Sequence, residues 1–444
     1  MPPPIGIGLR LDALSLLMLW LVAVVGAAAG GHALFLQPPG SAAGERFWPV
    51  WLLMFAGLNG LFLSADLFNL YVAIELVTLS GVALVAWDGR GAALRAAMRY
   101  LLLAMLASLA YLLAVALLYG EHGTLDLYLL AQGVAGGSGA TRTALVLVAV
   151  SLLLKAAIFP LHVWLPPAHS NAPGPVSAVL SALVVKTALY LLYRLWFWTL
   201  DGHQPVPVAT LFGLLGAAAI LYGSIGALVQ SRLKIMVAYS TVAQLGYLML
   251  VFPLSALPAA GALAWNGAIY HLLCHGLAKA AMFLAAANML LALGSDRLKD
   301  LAGADRRVPL SVFAFGLAGV SLMGLPPSGG FLAKWLMLEA AWTQRAWGWM
   351  LVLLLGSLLA SIYVFRALGA MFTARSAEAA SSADPERTGS GTRVGWGMGL
   401  AALVLALLAV VAGFASAPVF GLLEAGPPFE RIVDPAAPVQ ESER

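Results

Sequence analysis

The sequence predicts an all-α polytopic membrane protein, and three observations carry that reading. Of its 444 residues, 61% are hydrophobic and only 10% charged, where a soluble domain has about 45–50% and about 25%. The mean hydropathy is +0.91. Apolar runs long enough to cross a bilayer, about 20 residues each, recur from one end to the other. They do not alternate with period two, which excludes a transmembrane barrel, and the low charge excludes intrinsic disorder. The expected architecture is about twelve transmembrane helices, with two inverted five-helix repeats that each contain a broken helix.

Taken in order, the spans are expected at 11–36, 48–65, 67–87, 97–119, 143–165, 176–199, 207–230, 235–256, 261–292, 308–343, 347–373 and 395–420. Residues 1–9 lack a positive n-region and the first apolar stretch is too long for an h-region, so no cleavable leader is expected. Asp66 is expected to cap or enter the third helix, and 124–133 to form a short interfacial helix. The fifth span is interrupted at Ala157-Ile158-Phe159-Pro160 and runs on through Leu161 to Pro167; the tenth is interrupted from Gly324 to Gly330 by Pro326-Pro327 and three glycines. Proline removes a backbone donor and glycine loosens the chain, so both helices should break inside the bilayer. Each break falls in the fourth helix of a five-helix group, and odd-numbered repeats invert. The resulting organisation is 1–47 (first helix), 48–200 (first repeat), 201–374 (second repeat), 375–394 (a solvated loop) and 395–444 (last helix and acidic tail).

Charge orients the chain. Arg90, Arg95 and Arg99, Arg232 and Lys234, Arg297, Lys299, Arg306 and Arg307 fall on one side with Arg366, Arg375, Arg387 and Arg393; Glu121, Asp126, Asp201, Asp434, Glu441 and Glu443 fall on the other. The positive-inside rule makes the first side cytoplasmic and puts both termini outside, in a cell inner (cytoplasmic) membrane. The net charge of +4 comes without a basic cluster, so no nucleic-acid partner is expected. The single cysteine, Cys274, allows no internal disulfide or thiolate metal site and reads as a buried inert thiol. No nucleotide, iron–sulfur or flavin motif is present. The expected cofactor and metal content is none, and the energy source is an ion gradient or a partner protein.

The titratable residues within the spans are the informative ones. Of 24 Lys+Arg only six are lysines, and Lys155, Lys186, Lys279 and Lys334 stand in apolar spans while arginine serves the loops. Arginine keeps its proton, whereas a buried lysine can release one. Glu75, Lys155 and Lys186 stand roughly 12–18 Å into their helices at 1.5 Å per residue, too deep to snorkel easily. His271, His275 and Lys279, at i, i+4 and i+8, share one helical face over about 12 Å, as a proton relay requires. Hydrogen-bonded core histidines are the bland alternative; a haem or zinc site lacks the further ligands. Lys334 follows the second break, with a snorkelling anchor as its alternative. Lys234 reads as an orientation charge in a short loop. Glu339 lies off the face of Lys334 and stays outside the set. His162 and His169 flank the re-entry of the first broken helix and are candidates for a proton entrance.

The run Leu153 to His169 closely resembles the broken-helix signature of the antiporter-like subunits shared by respiratory complex I, membrane-bound hydrogenases and Mrp-type sodium/proton antiporters. The run Asp66 to Glu75 looks most like the Mrp D-type chain, and Val184–Tyr190, Leu233–Thr241 and His271–Phe283 match in order. The resemblance implies that Glu75 pairs with Lys155, that Lys186 bridges to the axis of His271, His275 and Lys279, and that Lys334 ends the second half-channel. It implies a usual core of fourteen helices, of which this chain's first matches the third. It also implies other membrane subunits as partners, the lipid bilayer as setting, and protons, with sodium as an alternative, as cargo. The expected route enters from the cytoplasm at Lys155 and Lys186, passes His275, His271 and Lys279, and leaves outside from Lys334. The competing expectations are a non-pumping scaffold subunit, a stand-alone solute transporter, and membership of an oxidoreductase, hydrogenase-type or inorganic-carbon uptake complex.

Overall fold

The computed structural model describes residues 6–200, 204–373 and 394–425; all but the last residue of the expected loop at 375–394, the tail beyond 425 and Asp201 lie outside them. The described residues form helices α1 (Ala13–Leu36), α2 (Ala42–Leu63), α3 (Leu67–Val85), α4 (Gly91–His122), α5 (Leu127–Gly133), α6 (Gly139–Lys155), α7 (Leu165–Asn171), α8 (Gly174–Thr199), α9 (Val206–Val229), α10 (Leu233–Leu254), α11 (Pro258–Leu293), α12 (Pro309–Met323), α13 (Gly329–Thr343), α14 (Trp347–Phe372), α15 (Trp396–Val411) and α16 (Ala417–Glu424). Among the described residues nine helices are long and apolar enough to cross a membrane. The expected spans 143–165, 308–343 and 395–420 instead fold as pairs: α6 and α7, α12 and α13, α15 and α16. The first two breaks were expected from proline and glycine. The third was not. There the chain turns at Gly413, whose added Cβ would stand 1.7 Å from the Pro327 carbonyl oxygen, so the last helix bends because it abuts the second break.

Local chemistry sets the helix starts. Asp12, Ser41, Asp66, Asp126 and Ser138 each accept a backbone N–H as N-cap residues of α1, α2, α3, α5 and α6, satisfying donors that have no partner within the helix. Gly123 and Gly294 end α4 and α11 in the left-handed region at φ 65° and 72°, where glycine has no Cβ to clash. The interhelical turns pair across each face. Asp66 bridges Asp126 on one side, and Arg232 bridges Arg297 on the other.

Burial separates the helices into an inner and an outer set. The most apolar stretch of α8 is wholly buried, and those of α10 and α11 are 89% and 83% buried, against 33% for α14. A helix apolar on all sides is covered by its neighbours, whereas one facing lipid keeps half its surface open. The inner three helices carry Lys186, Lys234, Lys279, His271 and His275, so the titratable residues occupy the axis of the protein and not its lipid face.

Candidate functional site

The first cluster joins α3, α4 and α6. Lys155 ends α6, and its Nζ donates to Glu75 Oε1 at 2.8 Å and to Ser108 Oγ at 2.9 Å. Ser108 also donates to Glu75. The break after Lys155 strips the last carbonyls of α6 of their helical donors, and the chain supplies others: Ile158 N reaches Leu153 O at 3.1 Å, and Trp164 Nε1 reaches Leu154 O at 3.0 Å. Trp164 stacks on Tyr100 with centroids 4.2 Å apart, which fixes the re-entry against α4. A cavity of about 20 Å³ touches Lys155, Thr78, Tyr100 and Thr187, room for about one water.

Lys186 lies in the middle of α8, fully buried. Its Nζ donates to Ser181 O at 3.0 Å and Ala182 O at 2.8 Å. Those carbonyls belong to a π-helical turn over Leu180–Val184, a widened turn whose carbonyls escape the usual i→i−4 ladder and can accept elsewhere. No carboxylate among the described residues is within hydrogen-bond reach of this amine.

The second cluster lies between α10 and α11. The His271 and His275 rings stack 5.8 Å apart at 9°, and their four ring nitrogens are buried without a hydrogen-bond partner among the described residues. Buried polar atoms are almost always satisfied, and internal water is the usual partner where the chain supplies none. Lys279 donates to Val237 O at 3.0 Å and to Ser240 Oγ. Tyr247 stands 5.4 Å from His271, and Lys334 Nζ sits 4.4 Å from the Tyr247 ring centre. Space therefore orders the row as Lys279, His275, His271, Tyr247, Lys334. The expected order, with Lys279 nearest Lys334, is corrected: α11 carries Lys279 two turns beyond His271, away from Tyr247.

Lys334 is buried and does not snorkel. It donates to Leu322 O at 2.8 Å and Ser357 Oγ at 3.2 Å, the first a carbonyl freed by the second break. Gly324 makes that possible. Its φ is +79°, and an added Cβ would fall 2.7 Å from Lys334 Cδ.

Lys234 is the other correction. It is the second residue of α10 and 3% exposed, with its Nζ on Ala172 O at 2.6 Å. The reading as a loop charge failed because α10 begins earlier than the hydropathy suggests and the α7–α8 junction covers it. Sequence reasoning also missed a polar stripe on α10: Lys234, Ser240, Thr241, Gln244 and Tyr247 recur at helical spacing, and two of them meet the row on α11, Ser240 at Lys279 and Tyr247 at His271. That spacing was the available signal, masked because serine, threonine and tyrosine read as ordinary core residues. His169 is fully buried, stacked on Phe283 at 4.4 Å with both ring nitrogens unpartnered; the cations that act on it are Lys234 and Lys279. His162 lies among Phe159, Tyr222 and Tyr239. Asp66 caps α3 through Asn69 N at 2.8 Å, Cys274 is buried, and Glu339 is exposed. Among the described residues no three or more His, Cys, Asp or Glu side chains gather as a metal site would require.

Broken membrane helices flanked by buried amines, joined by a central row of histidine and lysine, define an antiporter-like membrane subunit. Residues 64–361 match the family model described as NADH:quinone oxidoreductase/Mrp antiporter, transmembrane, and the chain belongs to that family. It is 39% identical over 371 residues to NADH-quinone oxidoreductase subunit N of Desulforudis audaxviator, covering 83% of this chain and 73% of that one. It is 30% identical over 346 residues to the D-type chain of the Na(+)/H(+) antiporter of Alkalihalophilus pseudofirmus, covering 77% and 68%. Among solved structures, a chain of the Mrp complex from a Dietzia species superposes with a TM-score of 0.85 and 28% identity, over 98% of this chain and 86% of that one.

Proposed function

We propose that the protein is a proton-translocating membrane subunit of a hetero-oligomeric complex, with other membrane subunits as partners. The single observation that carries this reading is the chain of titratable side chains inside the protein, the part-buried Glu75 with buried Lys155, then Lys186, then Lys279, His275 and His271, ending at Lys334. The names of the relatives agree, since they are subunits of NADH-quinone oxidoreductase and of sodium/proton antiporters. Protons enter from the arginine-bearing face by way of Lys234 and His169. An opposite charge at hydrogen-bond distance favours the ammonium form of a lysine, and its withdrawal favours release. Movement of Glu75 away from Lys155 is then the switch that sends a proton onward, and Lys334 discharges it on the opposite face. Amines and imidazoles, which repel cations when protonated, line the row in place of the oxygen ligands that sodium prefers; protons are the cargo this row favours.

The same reading includes two inverted five-helix groups, 48–200 and 201–374, with the arginine-bearing face cytoplasmic and both termini outside. The test is proton uptake into inverted membrane vesicles from cells carrying the Lys186→Ala variant. Uptake falls to background while the complex still assembles. Undiminished uptake overturns the assignment and leaves a scaffold subunit in its place.

A further inference from the structure

Two turns on the arginine-bearing face form one rigid unit. Leu233 N donates to Asp296 O at 2.7 Å and Leu298 N to Ser231 O at 2.8 Å, which zips the α9–α10 turn to the α11–α12 turn. A cavity of about 290 Å³ lies on this unit, lined by Ser231, Arg232, Arg297, Leu298, Lys299 and Arg366. Four of the six are cations and none is acidic. Asp296 neutralises Arg232, at 2.9 and 3.2 Å to its Nε, so three positive charges remain uncompensated around the space.

The cations do not simply sway in solvent. Arg366 leaves α14 within the membrane span, and its guanidinium donates to Leu228 O and, at 3.0 Å, to Gln230 O, at the open carbonyl end of α9. That contact holds it at the cavity and clamps α14 to α9. Like charges gathered in this way repel, and an anion that bridges them removes the repulsion and gains charge-assisted hydrogen bonds from planar guanidinium groups suited to phosphate oxygens.

The surroundings identify the anion. One helical turn below the Arg366–Leu228 contact and on the same helix faces, Ile225 of α9 and Ile362 of α14 are 55% and 48% exposed. These side chains belong to membrane spans and lie open on this chain's own surface, where acyl chains can pack. A small oxyanion would use the cationic cavity alone, whereas a diacyl lipid uses the cavity and the apolar seam together. We propose that this is a binding site for the phosphodiester headgroup of an anionic phospholipid, whose acyl chains lie along the α9–α14 seam. Basic pockets between helices at the cytoplasmic surface are a recurrent way to hold such headgroups. The site lies outside the titratable row and does not depend on proton transport.

The test uses the full chain, purified with its partner subunits and equilibrated in micelles doped with phosphatidylglycerol or with phosphatidylcholine. Retained lipid is counted by native mass spectrometry. Phosphatidylglycerol is retained in preference to phosphatidylcholine, and the Arg297→Gln/Lys299→Gln variant loses about 25-fold in retention, at about fivefold per surface charge removed. Inorganic phosphate in excess does not displace the lipid. Equal retention of the two lipids overturns the proposal, as does equal retention of phosphatidylglycerol by the variant. Displacement by inorganic phosphate shows a free-oxyanion site and overturns the lipid assignment. The lipid comparison and the phosphate arm need only the wild-type chain, so the proposal stays testable if the variant fails to fold.

Discussion

Replacing Glu75 with glutamine removes one charge from the first cluster and leaves its shape nearly intact. The carboxylate and the Lys155 ammonium stand 2.8 Å apart, with side chains 14% and 6% exposed. At an effective dielectric of about 20, two unit charges at that distance attract by about 6 kcal/mol. A glutamine oxygen still accepts a hydrogen bond from Lys155, returning about 1.5–3 kcal/mol. The net loss is then about 3–4.5 kcal/mol, within what breaking a buried pair costs. At about 1.4 kcal/mol per decade, the equilibrium between the protonated and released states of the cluster moves by a factor of about 10²–10³. If that equilibrium gates the onward step, Glu75→Gln lowers steady-state proton flux by about the same factor. The assay is pH-indicator quenching in inverted vesicles, normalised to assembled complex on a native gel. Flux within twofold of wild type, with normal assembly, refutes the switch. Loss of flux together with loss of assembly assigns the pair a structural role instead.

Three further outcomes follow from particular contacts. Lys234→Met removes the buried amine on the Ala172 carbonyl, and proton flux falls at least tenfold while cysteine-accessibility mapping shows an unchanged topology; a mere orientation charge would do the reverse. Gly324→Ala costs about 1–2 kcal/mol for the left-handed backbone and displaces Lys334 by the Cβ contact at 2.7 Å, so it lowers both Tm and flux, whereas alanine at Gly31, a helical position with nothing within 4 Å, lowers neither. At the start of α1, burial opposes ionisation of Asp12, but the hydrogen bonds and charge of Arg194 outweigh it and hold the carboxyl below its ordinary 3.8. A lowered folded-state value means the stabilisation is present at neutral pH and lost as pH falls through it. Asp12→Asn therefore lowers stability by about 1–2 kcal/mol at pH 7, between the values of exposed and buried pairs, and its unfolding curve converges on wild type only below pH 3.8.

Within a single helix, the sequence by itself determined a great deal. Hydropathy located nine of the twelve expected spans, Pro160 and the Gly324–Gly330 run located two breaks, and the i, i+4, i+8 spacing put His271, His275 and Lys279 on one face. All of this follows because helical rise and turn are constants of the backbone. The Glu75–Lys155 pairing, across 80 residues of chain, came from family resemblance and not from spacing. Only the tertiary structure decided what depends on how helices meet: Ser108 joining that pair from α4, the stripe on α10 facing the row on α11, the burial of Lys234 under the α7–α8 junction, and the bend at Gly413 against Pro327. It also decided the order of the row, because direction along α11 has meaning only once Tyr247 and Lys334 are placed at one end. Side-chain neighbours across a helix interface are set by packing angle and register, and one chain's linear pattern does not encode those without its partners.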